Sequence, residues 1–186
     1  MRFLSLAMLA AAAVAPALAK SDSAYTKIMT PDAKCIQVEM NEEEGWAVSK
    51  CPGYKGIDVW VGEGDLRAMV GYGKNGNEEM AYQRTFPLFN TTGETVEWRL
   101  KDGKPVATIL RWKIDGGPDM PKGEMLVVTQ LEAGNQCWIA VVAAHKNKNA
   151  NELARQAADE LAGTVDCATT EPEIVGTPDH DIFTTE

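Results

Sequence analysis

Four stretches of this chain alternate apolar and polar residues on both sides of a short turn. That pattern admits little besides antiparallel β-structure. Lys101-Asp102-Gly103-Lys104 predicts a two-residue hairpin loop, because Asp-Gly tolerates the positive φ angles of a type I′ turn. With Asp102-Gly103 as the loop, Trp98 falls opposite Ala107 and Val96 opposite Ile109. Val96, Trp98, Leu100, Ala107 and Ile109 then share an apolar face, the predicted core. Glu97, Arg99, Val106, Thr108, Leu110 and Trp112 share the reverse. Glu63-Gly64-Asp65-Leu66 predicts a second hairpin with Gly64 first in a type II′ turn. Val61 then faces Ala68, Val59 faces Val70 and Ile57 faces Tyr72, with Asp58, Trp60, Arg67 and Met69 behind them.

A third turn, Ala133 to Gln136, joins two strands apolar on both faces. Leu126, Val128, Cys137, Ile139 and Val141 line one face; Val127, Thr129, Leu131, Trp138 and Val142 line the other. Such a pair belongs in the middle of a sheet, covered on both sides. The fourth hairpin joins Cys35–Met40 to Trp46–Cys51 across a polar loop. Symmetric pairing sets Cys35 opposite Cys51, Val38 opposite Val48 and Met40 opposite Trp46, so the apolar pattern and the cysteines agree on one register. The expected fold is mostly β, a β-rich α+β architecture. Its sheet would be antiparallel and eight-stranded, barrel-like or a sandwich, in up-and-down order.

Two helical segments accompany the strands. Asn77-Glu78-Glu79 predicts a short acidic turn that stops before Pro87. The stronger helix starts near Asn149, carries Leu153, Ala157 and Leu161 on one stripe, and stops at Gly163. Cys167 follows, within reach of Cys137. Four cysteines allow three pairings. The registers favour Cys35–Cys51 and Cys137–Cys167, each stabilising by roughly 3–4 kcal/mol in the chain-entropy picture.

The ends of the chain set the compartment and the partners. Arg2, the apolar run Leu4–Val14 and Ala17-Leu18-Ala19 read as a secretory signal, residues 1–19, cleaved after Ala19. The expected location is periplasmic or secreted, where thiols oxidise. One domain follows over residues 20–167. An acidic tail, residues 168–186, carries five acids and no Lys or Arg, and is expected to be disordered. With 18 basic against 27 acidic residues the net charge is −9. That balance disfavours nucleic acid. No later segment is apolar enough for membrane insertion after signal cleavage. A basic partner or a cation fits the charge better, but acidity is also simply a route to solubility, and that is the preferred reading.

No catalytic set emerges. Serines are few and lack a nucleophile elbow; the only histidines are His145, expected as a solvated loop residue, and His180 in the tail. Zinc spacings are missing, and neither Glu42-Glu43-Glu44 nor Asp115 with Asp119 matches a calcium loop. No cofactor and no metal are expected. Glu97 is the single carboxylate placed to suggest glycosidase chemistry, and an outer-face ion pair with Arg99 explains it more simply. Two aromatic patches remain as candidate ligand sites. One is Trp60 with Met69, Asp58 and Arg67; the other is Trp112 with Leu110, Arg99 and Glu97. Burial of these tryptophans by helix or loop is the competing reading.

Cys51-Pro52-Gly53-Tyr54-Lys55-Gly56, Gly93–Leu100, Ala107–Trp112 and Asn151–Gln156 running toward Cys167 together resemble a group of small secreted proteins of proteobacteria. The resemblance covers most of the secreted chain and implies no activity, so it assigns no functional residue. The expected function is therefore a non-enzymatic binding or inhibitory protein recognising a protein partner or a small ligand. The alternatives are a carboxylate-dependent hydrolase using Glu97 and a structural envelope factor.

Overall fold

The computed structural model describes residues 21–183, so the expected leader lies outside the described residues. Ten strands form two sheets there, two more strands than the hairpins predict. The six-stranded sheet is ordered β1 (Ser21–Lys27), β6 (Asn90–Lys101), β7 (Lys104–Asp115), β8 (Lys122–Gln130), β9 (Trp138–Ala143) and β10 (Glu173–Ile174). The four-stranded sheet runs β2 (Ile36–Asn41), β3 (Trp46–Pro52), β4 (Asp58–Gly64), β5 (Arg67–Tyr72). The smaller sheet is thus an excursion of the chain between β1 and its partner β6.

The sheets do not close into a barrel. Between β5 and β6 the chain leaves the ladder at Gly73, makes one 3-10 turn at Gly76–Glu78, and returns to a strand only at Asn90. Asn90 bridges the gap: its N–H donates to the Leu66 carbonyl at 3.0 Å and its side-chain oxygen accepts the Ala68 N–H at 3.0 Å. Gly71 and Gly76 permit this path. A Cβ on Gly71 would meet the Gly76 carbonyl carbon at 2.7 Å. One apolar core fills the space between the sheets, with Val59, Val61, Val70 and Tyr72 from the smaller and Val96, Trp98, Leu110, Trp112 and Val127 from the larger. Phe86, from the connecting segment, packs with Trp112 and Trp138 at centroid distances of 5.6 and 5.0 Å.

A second core lies on the other face of the larger sheet, beneath helix α1 (Ala150–Leu161). Ala150, Ala154, Ala157 and Ala158 are buried there against Ile109, Leu126, Val128, Ile139 and Val142. The expectation that β8 and β9 are covered on both sides holds.

Bulges redistribute the side chains between these cores. Lys101 pairs with Lys104, and Asp102 and Gly103 have positive φ, as the turn chemistry predicts. One step on, Leu100 pairs with Pro105 but Arg99 with Ala107, leaving Val106 as an extra residue. Pro105 has no N–H for the ladder, which favours a bulge beside it. The expected face is therefore split. Val96, Trp98 and Leu100 point between the sheets, while Ala107 and Ile109 point to the helix. The same happens in β9, where Ile139 is the extra residue and sends Val141 and Val142 to opposite faces from those expected. In the second hairpin the loop is Asp65-Leu66, both with positive φ, instead of Gly64-Asp65. The register moves by two, so Val61 faces Val70 and the expected core face survives.

Both disulfides form as expected, Cys35–Cys51 and Cys137–Cys167. The acidic tail is corrected. Residues 168–183 form a strap along β9: β10 pairs with it in parallel, and the Val175 N–H donates to the Val141 carbonyl at 2.9 Å. The strap ends in helix α2 (His180–Phe183), whose Ile182 is fully buried. A composition argument counts charges; it does not see that the edge of β9 needs backbone partners.

Candidate functional site

The second aromatic patch does not exist as a unit. The Val106 bulge puts Trp112 and Leu110 in the core between the sheets, with Trp112 only 1% exposed, while Glu97 and Arg99 stay on the reverse face of β6, toward the helix. There Glu97 and Arg99 are buried instead of lying on an outer face. The strand presents −,+ at positions 97 and 99, and the helix answers +,− at 155 and 159. Arg155 holds Glu97 through Nε at 2.7 Å and Nη2 at 3.2 Å. Arg99 holds Asp159 through Nε at 3.0 Å and Nη2 at 2.7 Å. Ser23, on the unforeseen strand β1, donates its hydroxyl to Glu97 at 2.6 Å and accepts from Arg99. Two bidentate pairs of this kind fix how the helix sits on the sheet. The hydrogen bond to Glu97 also holds the Arg155 pKa above its usual value. Every Glu97 oxygen is thus engaged, which leaves the carboxylate poorly placed for general acid or nucleophilic work.

Trp60, Met69, Asp58 and Arg67 do share one face of the smaller sheet, all half-buried. The connecting segment lies over them. Trp60 donates its indole N–H to the Gly73 carbonyl at 2.8 Å, and Lys50 stands 5.4 Å from its ring and pairs with Asp58 at 3.5 Å. Tyr82 crosses above Gly62; its phenol pKa is raised by burial and then by the charge of Glu39. Arg67 pairs with Asp65. This face is a packed shelf more than an open platform.

His145 is an exposed turn residue, as expected, but not a free one. Its Nε2 lies 2.6 Å from Asp179 and its Nδ1 3.1 Å from the Glu124 N–H, so the ring clasps the strap to β8. Both nitrogens are occupied, and no nucleophile among the described residues uses the pair. Burial raises the Asp179 pKa, but the His145 hydrogen bond and the Lys146 charge outweigh it and leave the group below its ordinary value. Asp115 is committed to Lys122 at 2.9 Å and to the Gly117 N–H at 3.1 Å. Among the described residues no cluster of three or more His, Cys, Asp or Glu has metal-binding geometry, and no helix is long and apolar enough to cross a membrane.

One open apolar feature has no counterpart among the expected sites. The loop joining β2 to β3 and the Asp65-Leu66 turn stand at the same end of the smaller sheet, since Trp46 pairs with Gly64. Between them lies a groove of about 300 Å³ lined by Met40, Trp46, Ala47 and Leu66. Leu66 is 60% exposed and Met40 47%. Leu66 also holds φ 57, a conformation unfavourable for a bulky side chain. Glu42 and Glu63 line the groove, with Glu43 and Glu44 in the same loop. Beside it β2 is the outer strand of its sheet, exposed from Ile36 to Met40. The acidic loop was visible in the sequence; the exposure of its apolar neighbours was not, because Met40 and Leu66 look like ordinary strand residues.

No family model matches the chain, and no curated protein or solved structure is significantly similar to it.

Proposed function

We propose that this protein is a non-enzymatic, secreted or periplasmic binding protein that captures a basic protein partner at the β2–β5 tip. The carrying observation is the apolar groove of Met40, Trp46 and Leu66 inside an acidic rim. Large apolar side chains left in water, ringed by one sign of charge, suit a partner of opposite charge with an apolar anchor. The open edge of β2, with Ile36 57% exposed, offers backbone groups to an extended segment of that partner. Two disulfides fit an oxidising compartment, and the open two-layer arrangement, which we read as a sandwich, gives the tip a rigid base. The engagement of Glu97 by Arg155 and Ser23 weighs against the hydrolase alternative.

Affinity capture from native envelope extract tests the reading. Wild-type protein should retain a basic partner at low salt and lose it near 0.5 M salt, where screening is strong at about 4 Å. The Glu42→Lys/Glu43→Lys/Glu44→Lys variant should retain none of it. Equal recovery by both proteins would exclude the tip.

A further inference from the structure

Helix α1 covers only part of the sheet face on which it packs. Past its first turn, β1, β6 and β7 continue uncovered, and a cleft of about 470 Å³ opens between them and the helix. Its composition runs against that of the chain. The protein carries 27 acidic and 18 basic residues, yet the cleft is lined by Lys27, Arg111, Lys113 and Arg155 against Glu94 and Glu97.

The four cations are not equally committed. Arg155 is held by Glu97, and Arg111 pairs with Glu124 at 2.7 Å. Lys27 donates only to the neutral hydroxyl of Thr95, at 2.7 Å. Lys113 makes no hydrogen bond or ion pair among the described residues. Two ammonium groups at the mouth thus lack a carboxylate partner in direct contact among the described residues, with Glu94 the one carboxylate of the lining that is not already paired. Ile109 and Leu126 lie beneath them, and Tyr25, 56% exposed, stands at the side with its ring in solvent. Asn151 adds an amide from the helix.

We propose that this cleft binds a small organic anion built on a ring, of the acidic-sugar class. The carboxylate pairs with Lys27 and Lys113, the ring's C–H face rests on Tyr25 and the apolar floor, and Asn151 meets a hydroxyl. This site lies on the helix face of the larger sheet, so it is independent of the tip.

Isothermal titration of the folded protein with digalacturonate tests the proposal, with maltose and inorganic phosphate as comparison ligands. Saturable heat with digalacturonate is expected, at least about tenfold tighter than with maltose or phosphate. Lys27→Gln/Lys113→Gln should weaken it about tenfold or more, and Tyr25→Ala about threefold or more, with unchanged melting temperature, because all three side chains are exposed. Leu66→Ser, at the tip, should leave it unchanged. No saturable heat up to about 10 mM digalacturonate, equal affinity for maltose, or full binding by the double lysine variant would overturn the site. Phosphate binding as tightly as digalacturonate would overturn the ring's part in it.

Discussion

The two sheets treat their apolar residues in opposite ways. β8 and β9 of the larger sheet are buried along almost their whole length, between the inter-sheet core on one side and helix α1 on the other. β2 of the smaller sheet is exposed along almost its whole length, although it too carries Ile, Val and Met. The difference lies in what covers each edge and face. The larger sheet has a helix, a disulfide-anchored strap and a partner sheet. The smaller sheet has the partner sheet on one face and the connecting segment over part of the other. The apolar residues of β8 and β9 are therefore enclosed, whereas those of β2 face solvent. Acidic groups around the exposed set also discourage edge-to-edge association of copies.

Substitutions can break this contrast. Trp112→Ala should cost about 3–5 kcal/mol in urea unfolding, and Trp60→Ala about 1 kcal/mol, because only Trp112 is fully enclosed. Equal costs would erase the distinction between enclosed core and covered shelf. Removing Cys137–Cys167 with a double serine variant should cost about 3–4 kcal/mol in the same assay, since the bridge closes a loop of 30 residues and anchors the strap. Arg99→Ala should cost about 2–4 kcal/mol and Arg155→Ala about 1 kcal/mol. Arg99 is buried and bridges Asp159, Ser23 and Glu97, whereas Arg155 is partly in water and its loss leaves Glu97 with Ser23 and Arg99. A double cycle of Arg99→Ala with Asp159→Ala should show coupling; additivity would mean the pair does not position the helix.

The strap clasp carries a pH signature. The folded-state pKa of Asp179 lies below its unfolded value, so the stability it contributes is fully present above the unfolded carboxylate pKa of about 3.9 and is lost as pH falls through the lower, folded value. Asp179→Asn should cost about 1 kcal/mol at pH 6 and progressively less as pH falls below about 3.9, read from thermal unfolding. The smallest effect is expected at the tip: Leu66→Ser should change stability by less than about 0.5 kcal/mol.

The Asp102-Gly103 turn, helix α1 and the disulfides were legible because each has a local signal: turn chemistry, the alanine and leucine stripe, and the cysteine positions. The expected Gly64-Asp65 turn moved to Asp65-Leu66, and a bulge at Val38 sets Met40 opposite Ala47 instead of Trp46. Faces were less legible. One extra residue at Val106 exchanged the surroundings of Ala107, Ile109 and Trp112 without leaving an unambiguous mark in the pattern. β1 escaped notice because Ser21–Lys27 is polar and pairs at long range with β6. The strap escaped because its order comes from the edge of β9, Asp179 and one buried Ile182, all of them tertiary. The candidate site was half legible: Glu42–Glu44 marked an acidic loop, but the exposure of Met40 and Leu66 depends on what the fold fails to cover.

Hydrogen exchange on the protein with and without its captured partner tests the central claim most directly. Protection concentrated in residues 36–47 and 63–67, with the helix face and the strap unchanged, is the predicted result. Protection elsewhere with none at the β2–β5 tip would contradict it.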